Sequence, residues 1–88
     1  MEDNELRELT LQALKEAVGE VDEKTLELKF KQEFKDRVNV YGKFENSKGY
    51  YEFALTFDGK GKVKRSHVNL IMPKDIKEEI ERKTRVEG

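Results

Sequence analysis

His67 is the single histidine of the chain, and Ser66 precedes it. Neighbours in a regular strand project to opposite faces, so these two side chains share a site only if the strand is distorted. With no second imidazole and no cysteine, a histidine pair for zinc or for proton relay is impossible. Gly59-Lys60-Gly61 lacks the further glycines, or the Lys-Ser/Thr pair at a helix entrance, that a phosphate-cradling loop requires. Asp58-Gly59 matches the start of a calcium loop, but Lys60 and Lys62 stand where additional carboxylates belong. Glu20, Asp22 and Glu23 cluster without a ligand spacing, and Glu45 or Glu52 needs another acid brought to it by the fold. No catalytic, cofactor-binding or metal-binding residue follows from these patterns. The expectation is a non-enzymatic protein with no cofactor.

Two binding chemistries remain. Tyr41, Lys43, Tyr50, Glu52 and Ala54 form a compact patch in which tyrosine buries large area with few torsions to freeze, the composition of a protein interface. The partner would be another protein or a second copy of the chain. The alternative uses Lys60, Lys62, Lys64, Arg65 and His67 to meet phosphates while Tyr41 and Tyr50 stack on unpaired bases, as single-strand and RNA-binding sheets do. Glu52 within the platform and the absence of the glycine–aromatic signature of RNA-recognition sheets weigh against it. Edge lysines that discourage strand-to-strand pairing account for the same basic residues. Protein binding is therefore the first expectation and single-stranded nucleic acid the second.

Both require a sheet with one uncovered face. Leu6, Leu9, Ala13, Leu14, Ala17 and Val18 recur at helical steps, which predicts a helix over about residues 4–18, capped by Asp3 or Asn4 and stopped at Gly19. From Thr25 the period becomes two. Leu26, Leu28, Phe30 and Phe34 alternate with polar residues in a first strand (about 25–34), and Val38, Val40 and Phe44 continue in a second (37–45). After the Asn46-Ser47-Lys48-Gly49 turn, Tyr51, Phe53, Leu55 and Phe57 form the apolar side of a third (50–57). That turn pairs 44 with 51, 42 with 53, 40 with 55 and 38 with 57, all apolar on one face except Gly42, which Phe53 and Phe30 are expected to flank. The fourth strand (62–72) changes parity between Val63 and the trio Val68, Leu70 and Met72, so a bulge is expected near Arg65-Ser66-His67. Pro73 opens a short helix, about 74–83, anchored by Ile76 and Ile80, and residues 84–88 are expected to fray.

These elements predict one α+β domain over 1–88: a two-layer fold with both helices on one face of a four-stranded antiparallel meander. The open face is expected to carry Lys29, Lys31, Asn39, Tyr41, Lys43, Tyr50, Glu52, Ala54 and Thr56. The helix ending Leu14-Lys15-Glu16-Ala17-Val18-Gly19, followed later by Tyr51-Glu52-Phe53-Ala54-Leu55-Thr56-Phe57-Asp58-Gly59-Lys60-Gly61-Lys62-Val63, resembles a PepSY-type module over about residues 10–70. Cystatin-like folds are similar more loosely. The resemblance implies a protein-binding or inhibitory role and transfers no site residue.

Charge is divided along the chain. Residues 1–36 hold 11 acids against 6 bases, residues 37–73 hold 3 against 7, and residues 74–88 hold 5 against 5, within a net charge of −1. The charged fraction of 42% resembles that of hyperthermophile proteins. The acidic start, the lack of an apolar run of membrane-spanning length and the absence of cysteine lead to the expectation of a cytoplasmic protein whose mature form is the whole chain.

Overall fold

The computed structural model of the chain describes residues 2–76 and Ile80. It contains one long helix, α1 (Asp3–Val18), and four strands, β1 (Asp22–Glu33), β2 (Arg37–Asn46), β3 (Gly49–Asp58) and β4 (Val63–Pro73). The strands form an open antiparallel sheet in the order β1-β2-β3-β4. A short helical segment starts at Lys74, immediately after Pro73, as the sequence predicts. Its anchors Ile76 and Ile80 are 49% and 50% exposed. The rest of the expected helix (77–79, 81–83) and the tail 84–88 lie outside the described residues.

Helix α1 lays Leu6, Thr10 and Leu14 against the sheet, a four-residue repeat that keeps all three on one stripe. Leu9, Leu11, Ala13 and Val18 pack around them. The expected side-chain cap is not made: the helix begins after Glu2 without one. Asp3 lies inside the first turn, where its charge suits the helix dipole, and its carboxylate takes a 2.8 Å bond from Lys31. At the other end Gly19 N–H closes the helix on the Lys15 carbonyl at 2.8 Å.

The central hairpin has the register that its alternation and turn dictate: Phe44 faces Tyr51, Gly42 faces Phe53, Val40 faces Leu55 and Val38 faces Phe57. Phe44 and Tyr51 stack with ring centroids 4.9 Å apart. Asn46 sits buried at the turn, accepting the Lys48 and Gly49 amides on Oδ1 and donating Nδ2–H to the Glu20 carbonyl. A full set of amide bonds is what makes a buried asparagine tolerable.

The outer strands depart from simple alternation. In β1, Leu28 pairs with Gly42 but Phe30 pairs with Tyr41, so Lys29 is an extra residue and the parity flips behind it. Phe30, expected on the core side flanking Gly42, therefore emerges on the open face, and Lys31, expected on the open face, turns to the helix side and binds Asp3. A larger interruption separates the Asp22–Glu45 and Glu27–Lys43 pairs. There the Thr25 hydroxyl donates to the Asp22 carbonyl and accepts Glu45 N–H, while Arg7 of α1 donates to the Glu23 and Leu26 carbonyls. Side chains thus take over the bonds that the ladder cannot make.

Strand β4 also bulges, between Val63 (opposite Phe57) and Arg65 (opposite Thr56), so the extra residue is Lys64, just ahead of the expected position. A second irregularity at Ile71 places Met72 opposite Tyr50 rather than on the core face with Val68 and Leu70. Gly42 is required by space: a Cβ there would run into the Glu27 carbonyl oxygen and lie 2.8 Å from Phe53 Cζ. The last turn approaches α1, since a Cβ at Gly61, whose φ is 85°, would lie 3.2 Å from Leu9 Cδ1.

Candidate functional site

The bulges organise the open face into cross-strand rows. One row is Phe30, Tyr41, Ala54 and His67, in strand order. Phe30 and Tyr41 keep 54% and 42% of their surface exposed, with ring centroids 5.9 Å apart. On one side lies an amide and hydroxyl row. Thr56 Oγ1–H donates to Asn39 Oδ1 at 2.8 Å, Asn39 Nδ2–H donates to Gln32 Oε1 at 3.3 Å, and Arg65 ends the row. Beyond it the Arg37 guanidinium stands 4.7 Å from the Phe34 ring centroid, and Arg37 pairs with Asp58. On the other side Glu27, Lys43, Glu52 and Asn69 alternate in charge, followed by Glu45, Tyr50 and Met72.

Between these rows the small Ala54 and the backbone of Gly42 line the floor of a shallow depression walled by Tyr41, His67 and Ile71. Ile71 is 54% exposed at its rim. A neighbouring depression joins Tyr50, Met72 and Ile71 to Lys43. The structure therefore brings Tyr41, Lys43, Glu52 and Ala54 together and places Tyr50 one row away. Phe30, Arg37 and Ile71 belong to the same surface; Arg37 follows the alternation of Asn39 and Tyr41, whereas Phe30 and Ile71 are not evident from residue spacing. For Phe30 the alternation itself misleads, because Leu28 and Phe30 keep the period of two across the bulge.

The basic segment is divided. Lys64, Arg65 and His67 border the open face near Arg37 and Tyr41. Lys60 and Lys62 belong to the turn, where their amides both donate to Asp58 Oδ1 at 2.8 and 2.9 Å. These amides, Lys62 and then Lys60, hold the Asp58 carboxyl below its usual range, and the nearby charges of Lys64 and Lys62 add to the effect. Asp58 is thereby a turn-forming residue. Ser66 pairs with Leu55 on the helix side and His67 with Ala54 on the open side, so the two diverge. His67 Nε2 lies 2.8 Å from Asn69 Nδ2, within hydrogen-bond distance of the side-chain amide.

The acidic group at the helix exit is spent on local contacts. Glu20 accepts the Ser47 hydroxyl, Asp22 accepts the Lys24 amide and Glu23 pairs with Lys15 at 3.1 Å. At the β1 edge, hydrogen bonding and then charge from Lys29 lower the Glu27 carboxyl, as Lys31 lowers Asp3. Among the described residues no three histidines or acids gather in a way that could hold a metal ion, and no helix is long and apolar enough to cross a membrane. No protein-family model, curated protein or solved structure matches the chain.

Proposed function

We propose that this chain is a non-enzymatic binding module whose ligand is a protein surface received on the open face of the sheet. One observation carries the reading: half-exposed Tyr41 and Ile71 line a depression floored by the small Ala54, half-exposed Phe30 stands beside Tyr41, and Lys29, Lys43 and Glu52 give the rim both charge signs. Large apolar groups left in water next to a recess are the anchors and the pocket of an interface, and mixed charge at the rim gives orientation. The order of helix and strands that the sequence shares with PepSY-type modules, which implies protein binding, points the same way.

A second reading is supported by the emergence of Phe30 beside Tyr41. Two aromatic rings in one row, with His67 in line and Arg37, Lys64 and Arg65 at one end, offer stacking and phosphate contacts to a single strand. Glu52 and Glu27 in the adjoining row repel such a ligand, which places this reading second.

A compact aliphatic diazirine side chain at position 54, small enough to leave the recess open, compared with one at position 16 on the outer side of α1, separates the two. The protein reading expects a polypeptide adduct from position 54 alone. Adducts of nucleic acid from that position would replace it with the second reading, and equal yields from both positions would remove the open face from consideration.

A further inference from the structure

We infer that the protein received on the open face is a second copy of this chain, packed sheet to sheet about a two-fold axis that runs along the strands between β2 and β3; the inference rests on the protein-binding reading above. Such an axis exchanges β2 with β3 and β1 with β4 while keeping each row at its own level. Every open-face residue of β2 then meets its own cross-strand neighbour from the other copy. The observed pairs are Lys43 with Glu52, Tyr41 with Ala54 and Arg37 with Asp58. Lysine thus faces glutamate twice, and each Tyr41 ring descends on the recess over the second copy's Ala54.

The outer columns agree. Phe30 meets His67 and Glu27 meets Asn69, so no row sets like charges face to face. An axis running across the strands at the level of Tyr41 fails on size, since it sets Tyr41 on Tyr41 and leaves Ala54 over Ala54. Aligned sheets pack about 10 Å apart and roughly 30° off parallel, so the inner rows of Tyr41 and Lys43 hold their partners best and Arg37 reaches furthest. Lys43 and Glu52 make no ion pair or hydrogen bond of direct contact distance among the described residues; Lys43 acts on neighbouring Glu27 only through its charge, so both side chains are able to reach the second copy.

Area sets the expected strength. Four strands ~4.8 Å apart, with eight residue steps of ~3.4 Å between Arg37 and Glu45, give a footprint of roughly 19 by 27 Å, or about 1,000 Å² summed over two copies. That sits at the lower bound of about 1,000 Å² for specific association. The dimer is accordingly weak and concentration-dependent.

Sedimentation of the full chain from ~10 μM to ~1 mM, a range suited to an interface of this size, reads it out. The expected result is a shift from monomer toward dimer that Lys43→Glu and Glu52→Lys each weaken by about tenfold or more, because each alone sets like charges across the axis. An equimolar mixture of the two variants restores association, since one copy then offers two acids at these positions and the other two bases. Mixing leaves the contacts inside each chain unchanged, so fold damage cannot mimic the rescue. A mixture no better than its components, or a wild-type chain monomeric throughout, overturns the inference. If that monomer still gives polypeptide adducts of another mass from position 54, the protein-binding reading survives without the self-partner. A dimer that persists in Ala54→Arg overturns the inference, and nucleic-acid adducts at position 54 overturn both readings.

Discussion

On the helix side of the sheet Val40, Phe44 and Phe57 are sealed from water, whereas on the open side Phe30, Tyr41 and Ile71 keep about half their surface. The buried set follows strict alternation through the central hairpin. Two of the three exposed residues reach their positions at irregularities, Phe30 after the extra Lys29 and Ile71 at the second break in β4. Regular pairing thus serves the core, and broken pairing at the edges dresses the other face. Apolar area left in water contributes nothing to holding the fold, so Phe30, Tyr41 and Ile71 add little to stability, and the binding proposed for the open face would draw on side chains other than those that form the core.

The largest effect that breaks this contrast is expected from Phe57→Ala. It empties a fully buried site, and urea unfolding should show a loss of about 3–5 kcal/mol. Gly42→Ala strains the core side and the β1–β2 ladder together. Its new methyl meets the Glu27 carbonyl and the Phe53 ring, and a loss of about 1–3 kcal/mol with displaced β1 amide resonances is the expected outcome. Thr10 lies buried under α1 with a hydroxyl that has no partner among the described residues. Thr10→Val should therefore raise stability by about 1 kcal/mol, and an unchanged or lower denaturation midpoint would mean that the hydroxyl is satisfied.

On the open side, Tyr41→Ser should shift stability by less than about 0.5 kcal/mol while removing the position-54 adducts. Equal losses of fold and of binding would erase the separation of the faces. The smallest expected effect concerns acid. Because Asp58 titrates lower in the folded chain than in the unfolded one, its stabilisation is present above the ordinary carboxylate range and disappears as pH falls through the lowered value. Asp58→Ala should thus flatten the acid limb of the stability profile; an unaltered limb would take the turn amides out of the account.

How far the sequence foretells this arrangement depends on whether a residue change leaves a mark in the alternation. The β2–β3 register is legible because three apolar pairs, the Gly42–Phe53 pair and a turn of fixed length agree, and a slip of one residue would invert all of them. The bulge at Lys64 is legible to within a residue, since Val63 and Val68 share a face at an odd separation. The bulge at Lys29 leaves no such trace, because Phe30 keeps the period whether it packs inward or outward. Leu70, Ile71 and Met72 are all apolar, so no contrast records the break between them. The open-face patch could accordingly be read in its Tyr41, Lys43, Glu52 and Ala54 portion, and its Phe30 and Ile71 portion required coordinates.

The approach of Gly61 to Leu9 has a consequence in time. A meander assembles neighbour by neighbour, but the helix made first finds one of its contacts in the last turn to be synthesised. Sixteen residues of helix, with no side-chain cap at the start, are marginal in water on their own. During synthesis α1 therefore gains this contact only once the β3–β4 turn has formed, and the turn acts as a clasp on the helix.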